Sequence, residues 1–142
     1  MLKIIGTYNK PTIEFDTETG ELIIQGNSFT VNALEFYKPL LYAITEYKKN
    51  PLLQTIVYFK LTYFNTSSYK SILDVLLELK SLDAESEVII NWYYEKADND
   101  IRDLGSNYKN LVNLPFNLIA IEHVNTPAFR FFKPHQPSWD LK

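Results

Sequence analysis

The sequence predicts an α/β fold: a single mixed β-sheet with an N-terminal antiparallel hairpin, its later strands joined by crossover helices. Three observations lead there. Segments of period two and of period 3.6 follow one another in the order β-β-α-β-α-β-α-β, the pattern of a layered α/β domain. The first two strand-like runs are separated only by a glycine-bearing turn and so pair antiparallel, whereas the later ones are separated by helix-length stretches that return the chain parallel. Hydrophobic residues make up 46% of the 142 and aromatics 15%, enough for a packed core and against intrinsic disorder.

In "TIEFDTETGELIIQG" the runs 12–16 and 21–26 alternate around a turn carrying Gly20, which makes the hairpin. A helix then opens near Asn32, with Leu34, Tyr37, Leu40, Leu41, Ile44 and Tyr47 at helical spacing. Pro39 lies inside it, where a missing N–H predicts a kink or a break, and Asn50-Pro51 ends it. The run "QTIVYFKLTYF" is apolar or bulky on both faces, which suits a central strand. The next helix follows Ser68, with Ile72, Leu73, Val75, Leu76, Leu79 and Leu82 forming its stripe. "EVIINWYYE" is a strand, and "ADNDIRDLGSNYKNL" is a helix with acids at its start and a possible interruption at Gly105. "PFNLIAIEHV" is the last strand, opened by Pro115. Residues 1–10 are taken as an N-terminal segment, 11–124 as the domain and 125–142 as a C-terminal tail. The tail carries Pro127, Pro134 and Pro137 among Phe129, Phe131, Phe132 and Trp139, too aromatic for a solvated linker, and is expected to pack on the domain or on a partner.

Several chemistries are excluded. With no cysteine there is no disulfide, thiol catalysis or thiolate metal site. Fourteen basic residues against seventeen acidic ones give a net charge of −3 and no basic stripe, so nucleic-acid binding has no electrostatic support, and Trp92, Tyr93 and Tyr94 are core and sheet-face residues rather than base-stacking ones. The apolar runs are broken by charge and the opening "MLKIIGTYNK" lacks a cleavage signature, so the expectation is a cytoplasmic protein that does not enter a membrane. His123 and His135 have no partner at ligand spacing. Asp98, Asp100 and Asp103 lack the glycine and glutamate of a calcium loop and instead suit the positive end of a helix dipole. Four glycines provide no phosphate-cradling loop, and no nucleophile elbow is present. The expectation is a non-enzyme with no catalytic residue, metal or cofactor.

One segment remains. "YFNTSSYKSIL", residues 63–73, places Asn65, Thr66, Ser67 and Ser68 at a strand-to-helix junction. Thr66 or Ser67 suits the N-cap, whose loss to alanine costs about 0.5–2 kcal/mol. The same hydroxyls could bind a small anion or accept a phosphoryl group, because a helix amino terminus offers free N–H donors and a favourable dipole. Lys70 is near enough to add a counter-charge, and a serine nucleophile here would lack a base. The first helix and the helix after Ser68 are the candidate docking surfaces.

Five segments, "TIEFDTETGELIIQG", "FYKPLLYAITEY", "FKLTYFNTSSYKSILDVLLEL", "VIINWYYEKADNDIRDLGSNY" and "LPFNLI", closely resemble the SiaC-type bacterial regulatory phosphoproteins. The resemblance covers about residues 11–121, with N-T-S-S-x-K and W-Y-Y-E its most specific parts. It implies a STAS-like fold, similar to the anti-sigma-factor antagonists, and Thr66 as the phosphorylated residue, with Ser67 and Ser68 next and with Asn65, Ser67, Ser68 and Lys70 shaping the kinase or partner contact. It also implies a Ser/Thr kinase with a histidine-kinase-like ATPase fold, an opposing PPM-type phosphatase, and a diguanylate cyclase bound by the unphosphorylated form, hence control of cyclic-di-GMP and of biofilm or aggregation. The alternatives are an anti-sigma-factor antagonist circuit, or a structural or ligand-binding α/β module whose N-T-S-S segment is only a cap.

Overall fold

A computed structural model describes residues 1–122; the tail expected at 125–142, together with His123 and His135, lies outside the described residues. The elements are β1 (Leu2–Ile4), β2 (Thr12–Asp16), β3 (Glu21–Ser28), α1 (Ala33–Tyr47), β4 (Gln54–Phe64), α2 (Thr66–Lys80), β5 (Glu87–Glu95), α3 (Asn99–Val112) and β6 (Phe116–Ile121). They form one six-stranded sheet in the order β1-β2-β3-β4-β5-β6. Strands β1 to β3 pair antiparallel, and β3 to β6 pair parallel. The mixed sheet, the leading hairpin and the crossover helices agree with the sequence expectation.

Because each crossover steps to the next strand in the same direction, right-handed connections put all three helices on one face. The core accordingly joins Tyr37, Leu40 and Ile44 of α1, Ile72, Val75, Leu76 and Leu79 of α2, and Ile101, Leu104 and Tyr108 of α3 to inward strand residues such as Phe15, Ile24, Phe59 and Trp92. On the opposite face Ile23, Tyr58 and Tyr93 form a second, smaller cluster, made of strand residues among those described. Strand β4 is central and buried on both faces, as its composition predicts.

Four local expectations change. The N-terminal segment contributes β1, which pairs Leu2–Ile4 with Ile13–Phe15; three residues are too few to show a period. Strand β3 runs past Gly26 to Ser28, its register shifting between Gly26 and Asn27, where Gly26 has φ of 117°. Helix α1 runs unbroken through Pro39. Pro39 and Glu35 are both exposed, so water can satisfy the carbonyl that loses its N–H partner, and the packing of the helix outweighs the remaining cost of an interior proline, about 3 kcal/mol. Helix α3 likewise runs unbroken through Gly105, which is there because a Cβ would come within 2.4 Å of Trp92 Cδ1.

Candidate functional site

Strand β4 ends at Phe64 and α2 begins at Thr66, so the turn from sheet to helix is made by Asn65 alone. Its backbone is extended (φ −120°, ψ 176°), and its Oδ1 accepts from the Ser68 N–H at 2.9 Å. The N-cap expected at Thr66 or Ser67 is therefore Asn65. The helix starts earlier than its apolar stripe reveals, and asparagine caps with one amide atom while donating from another. Its Nδ2 also donates to the Thr30 carbonyl at 3.2 Å, while its backbone N–H donates to Ser28 O at 3.1 Å. One residue thus ties the start of α2 to the loop that leads into α1.

The neighbouring hydroxyls divide into two kinds. Thr66 and Ser67, the first and second helical residues, are exposed. Ser68 turns inward and is 0% exposed, accepting from Ser28 Oγ at 2.7 Å, and Ser28 in turn lies 2.7 Å from the Tyr37 hydroxyl. A buried hydroxyl chain thus links α1, β3 and α2. Burial raises the Tyr37 phenol well above its usual value against the smaller opposing pull of Ser28, so it stays a proton donor. Lys70 is exposed one turn beyond Thr66, on the same helix face. The structure thus places Asn65, Thr66, Ser67 and Lys70 at one accessible point and assigns Ser68 to the interior.

The electrostatics of that point differ from those of the other helix starts. Helices α1 and α3 each carry an acid in the first turn, Glu35 and Asp100, and α2 carries none. The N–H groups of Thr66 and Ser67 have no intrahelical acceptor, so the positive end of the dipole has no side-chain anion to offset it. Behind the site, Tyr69 stacks on Tyr108 at 5.2 Å, and the Tyr108 hydroxyl donates to Tyr69 O at 2.7 Å. Burial, with smaller contributions from Tyr69 and Tyr37, pushes that phenol far above its ordinary range. In front, Tyr8, Phe29 and Tyr63 form an edge-to-face ladder with centroids 5.9 and 5.1 Å apart, and Val31 is 95% exposed beside them in sequence.

An open cavity of about 490 Å³ adjoins the site, lined by Tyr63, Phe64 and Tyr69 on one side and by Asp98, Asp100 and Asp103 on the other. Asp98 is the α3 N-cap, its Oδ1 accepting from the Ile101 N–H at 3.0 Å. Among the described residues no cluster of three His, Asp or Glu has metal-holding geometry, and no helix is long and apolar enough to cross a membrane.

Ser28, Thr30 and Tyr37 are the site residues that sequence reasoning missed. Ser28 pairs in register with Phe64 at the ends of adjacent parallel strands, a juxtaposition visible only once strand order is known. Removing the hinge tests its two functions separately. Asn65→Ala should destabilise the fold by about 1–2 kcal/mol through the lost cap and the orphaned Thr30 carbonyl. Asn65→Asp should recover the capping part only, and equilibrium denaturation of both variants distinguishes the two losses.

Comparison with known proteins places these features in context. The model of the SiaC family of regulatory phosphoproteins matches residues 4–121. An uncharacterized protein of Pseudomonas aeruginosa is 26% identical over 120 residues, spanning 84% of this chain and 95% of its own length. A chain from the crystal structure of the Pseudomonas aeruginosa diguanylate cyclase SiaD in complex with its activator SiaC is 25% identical. It superposes with a TM-score of 0.78 over 85% of this chain and 100% of that one. Apo-SiaC from the same organism is 24% identical with a TM-score of 0.72, over 84% and 96% of the two chains, a likeness of fold.

Proposed function

The chain belongs to the SiaC family of regulatory phosphoproteins, and we propose that it is a non-catalytic switch whose written residue is Thr66. A Ser/Thr kinase with a histidine-kinase-like ATPase fold adds the phosphoryl group and a PPM-type phosphatase removes it. The unmodified form binds and activates a diguanylate cyclase, which sets cyclic-di-GMP output and so biofilm formation or aggregation. Support for the cyclase comes from the 25% identical structural relative, whose complex is with such an enzyme.

The observation that carries this reading is the state of Thr66. It is an exposed hydroxyl on the first residue of a helix whose cap is made by a different residue. The first turn holds no acid, and two N–H groups there have no intrahelical acceptor. A phosphate of about −1.5 to −2 charge is accommodated at such a helix end without dismantling the cap. Ser67 shares the exposure and is the next candidate, whereas Ser68 would have to leave its buried bond with Ser28 to react.

Incubation with its kinase and ATP should therefore add one phosphoryl group, located on Thr66 by tandem mass spectrometry. Thr66→Ala should abolish the addition. A phosphate on Ser68, or on any residue outside 66–68, would defeat the site assignment. Persistence of full phosphorylation in Thr66→Ala would move the switch to Ser67.

A further inference from the structure

Three consecutive hydroxyls, Thr66, Ser67 and Ser68, open α2, and the side chains themselves differ little in what they offer a kinase. Their difference lies in how the first turn is rotated. Successive helical residues are about 100° apart, so Thr66 and Ser68 are about 200° apart, and a turn that buries Ser68 exposes Thr66. Ser28 holds that rotation. Its carbonyl accepts from the Asn65 N–H at 3.1 Å, and its hydroxyl donates to Ser68 Oγ at 2.7 Å. One attachment would fix only the position of the helix start. Two attachments, three residues apart on the same turn, also fix its angle about the axis.

Ser28 has a single hydroxyl proton, and Ser68 receives it, so the Tyr37 hydroxyl 2.7 Å away is the donor to Ser28. The chain runs from Tyr37 to Ser28 to Ser68, all three 0% exposed, and Tyr37 is seated in the helix-side core. Losing the middle member would leave a buried phenol and a buried serine without each other's link, which opposes any rotation that breaks it. The strand ends are shaped for the same grip. Gly26 faces Leu61 while Asn27 faces Tyr63, so β4 holds one extra residue, Thr62, and its alternation shifts there. Beyond the shift Tyr63 is exposed, Phe64 packs on the core, and Ser28 stands opposite Phe64. An unbroken register would set Ser28 opposite Tyr63, one residue short of its contact with Asn65.

We propose that Ser28, backed by Tyr37, is the positioning residue that selects which hydroxyl of 66–68 is written, by locking the rotation of the first turn of α2. The inference rests on the reading of Thr66 as acceptor. It adds that the choice is made from inside the fold, by a residue on a neighbouring strand. A second buried hydroxyl chain, Tyr47–Thr55–Ser86 with links of 2.8 and 2.6 Å, lies at the other end of β4 and supplies a control of the same kind.

Ser28→Ala removes the hydroxyl and keeps the carbonyl. After incubation of the full chain with its kinase and ATP, tandem mass spectrometry should find the phosphate predominantly on Thr66 in the wild type. In Ser28→Ala the share on Ser67 and Ser68 should rise roughly fivefold, the weight of one buried hydrogen bond. Tyr37→Phe, which keeps the ring in the core, should give a smaller rise, and Thr55→Ala none. Without any kinase, the amides of Ser68 and Tyr69 should exchange roughly fivefold faster in Ser28→Ala than in Thr55→Ala. An unchanged share in Ser28→Ala and Tyr37→Phe overturns the proposal, and so does equal exchange in the two alanine variants. Should Ser28→Ala not fold, the comparison of Tyr37→Phe with Thr55→Ala decides alone. Phosphate outside 66–68 in the wild type is a different failure, that of the acceptor reading itself, and takes the selection with it.

Discussion

Under the proposed switch, phosphorylation of Thr66 is expected to weaken binding to a diguanylate cyclase by roughly 30-fold or more while leaving the thermal stability of the chain unchanged or slightly raised. The two effects have separate causes. At the helix end, the phosphate meets the unpaired N–H groups of the first turn, the uncompensated dipole and Lys70, a setting worth about 0.3–1 kcal/mol in favour of the folded state. If the cyclase docks at this point, as proposed, the charge left over after those contacts must be desolvated in the interface. Burying one uncompensated charge in an interface costs about 2–5 kcal/mol, and 1.4 kcal/mol is tenfold in affinity. Loss of binding therefore does not require loss of fold. Thr66→Ala should bind as the unmodified chain does, and because Asn65 is the cap this substitution leaves the helix start intact. Thr66→Glu should show a partial version of the phosphorylated behaviour. Isothermal titration with the cyclase and a thermal melt on the same samples decide the matter. If phosphorylation lowers Tm by many degrees, the modification melts the site instead of recharging it.

That separation was only half visible in the sequence. The stripe Ile72, Val75, Leu76 and Leu79 announces α2 because one face of a helix repeats every 3.6 residues, and the alternation in β4 announces a central strand. Which of four consecutive cap-forming residues serves as the cap is a different kind of question. Asn65, Thr66, Ser67 and Ser68 compete for the same N–H groups, and the choice falls to the residue that can also satisfy Thr30 O and Ser28 O. Those carbonyls are more than thirty residues away in sequence. The burial of Ser68 has the same origin, since Ser28 is forty positions earlier. Local propensity located the strand-to-helix junction; contacts between distant strand ends sorted its hydroxyls into exposed and buried. Gly105 shows the same limit from the other side, because a glycine in a helix pattern signals a break until its neighbour across the core is known.

Replacing that glycine should be among the most damaging single-methyl changes in this protein. On an exposed helix, Gly→Ala is favourable by about 1 kcal/mol. At position 105 the new Cβ would stand 2.4 Å from Trp92 Cδ1 and 2.5 Å from its Nε1. The indole has nowhere to retreat. It is 0% exposed, lies 5.1 Å from Phe59 and 6.2 Å from Phe116, meets Tyr108 edge-on at 5.5 Å, and donates to Ile101 O at 2.9 Å. Overpacking costs about 1–3 kcal/mol, and a displaced indole leaves a buried donor unsatisfied at about 1–3 kcal/mol more. The expected net loss for Gly105→Ala is roughly 3 kcal/mol, read from equilibrium denaturation. Pairing it with Trp92→Phe should recover part of that loss, because the smaller ring vacates the contact; a purely additive double variant would show that the clash is not the cause. The damage should also reach the start of α2. Tyr108 is one turn beyond Gly105 on α3 and holds the Tyr69 carbonyl in the first turns of α2, so a shifted α3 loosens the helix end that presents Thr66. Hydrogen exchange of the amides of Tyr69 and Lys70 should therefore quicken in Gly105→Ala more than in an equally destabilised variant on the β1–β2 edge. Equal acceleration in the two would mean that the start of α2 feels global stability alone and not the packing of α3.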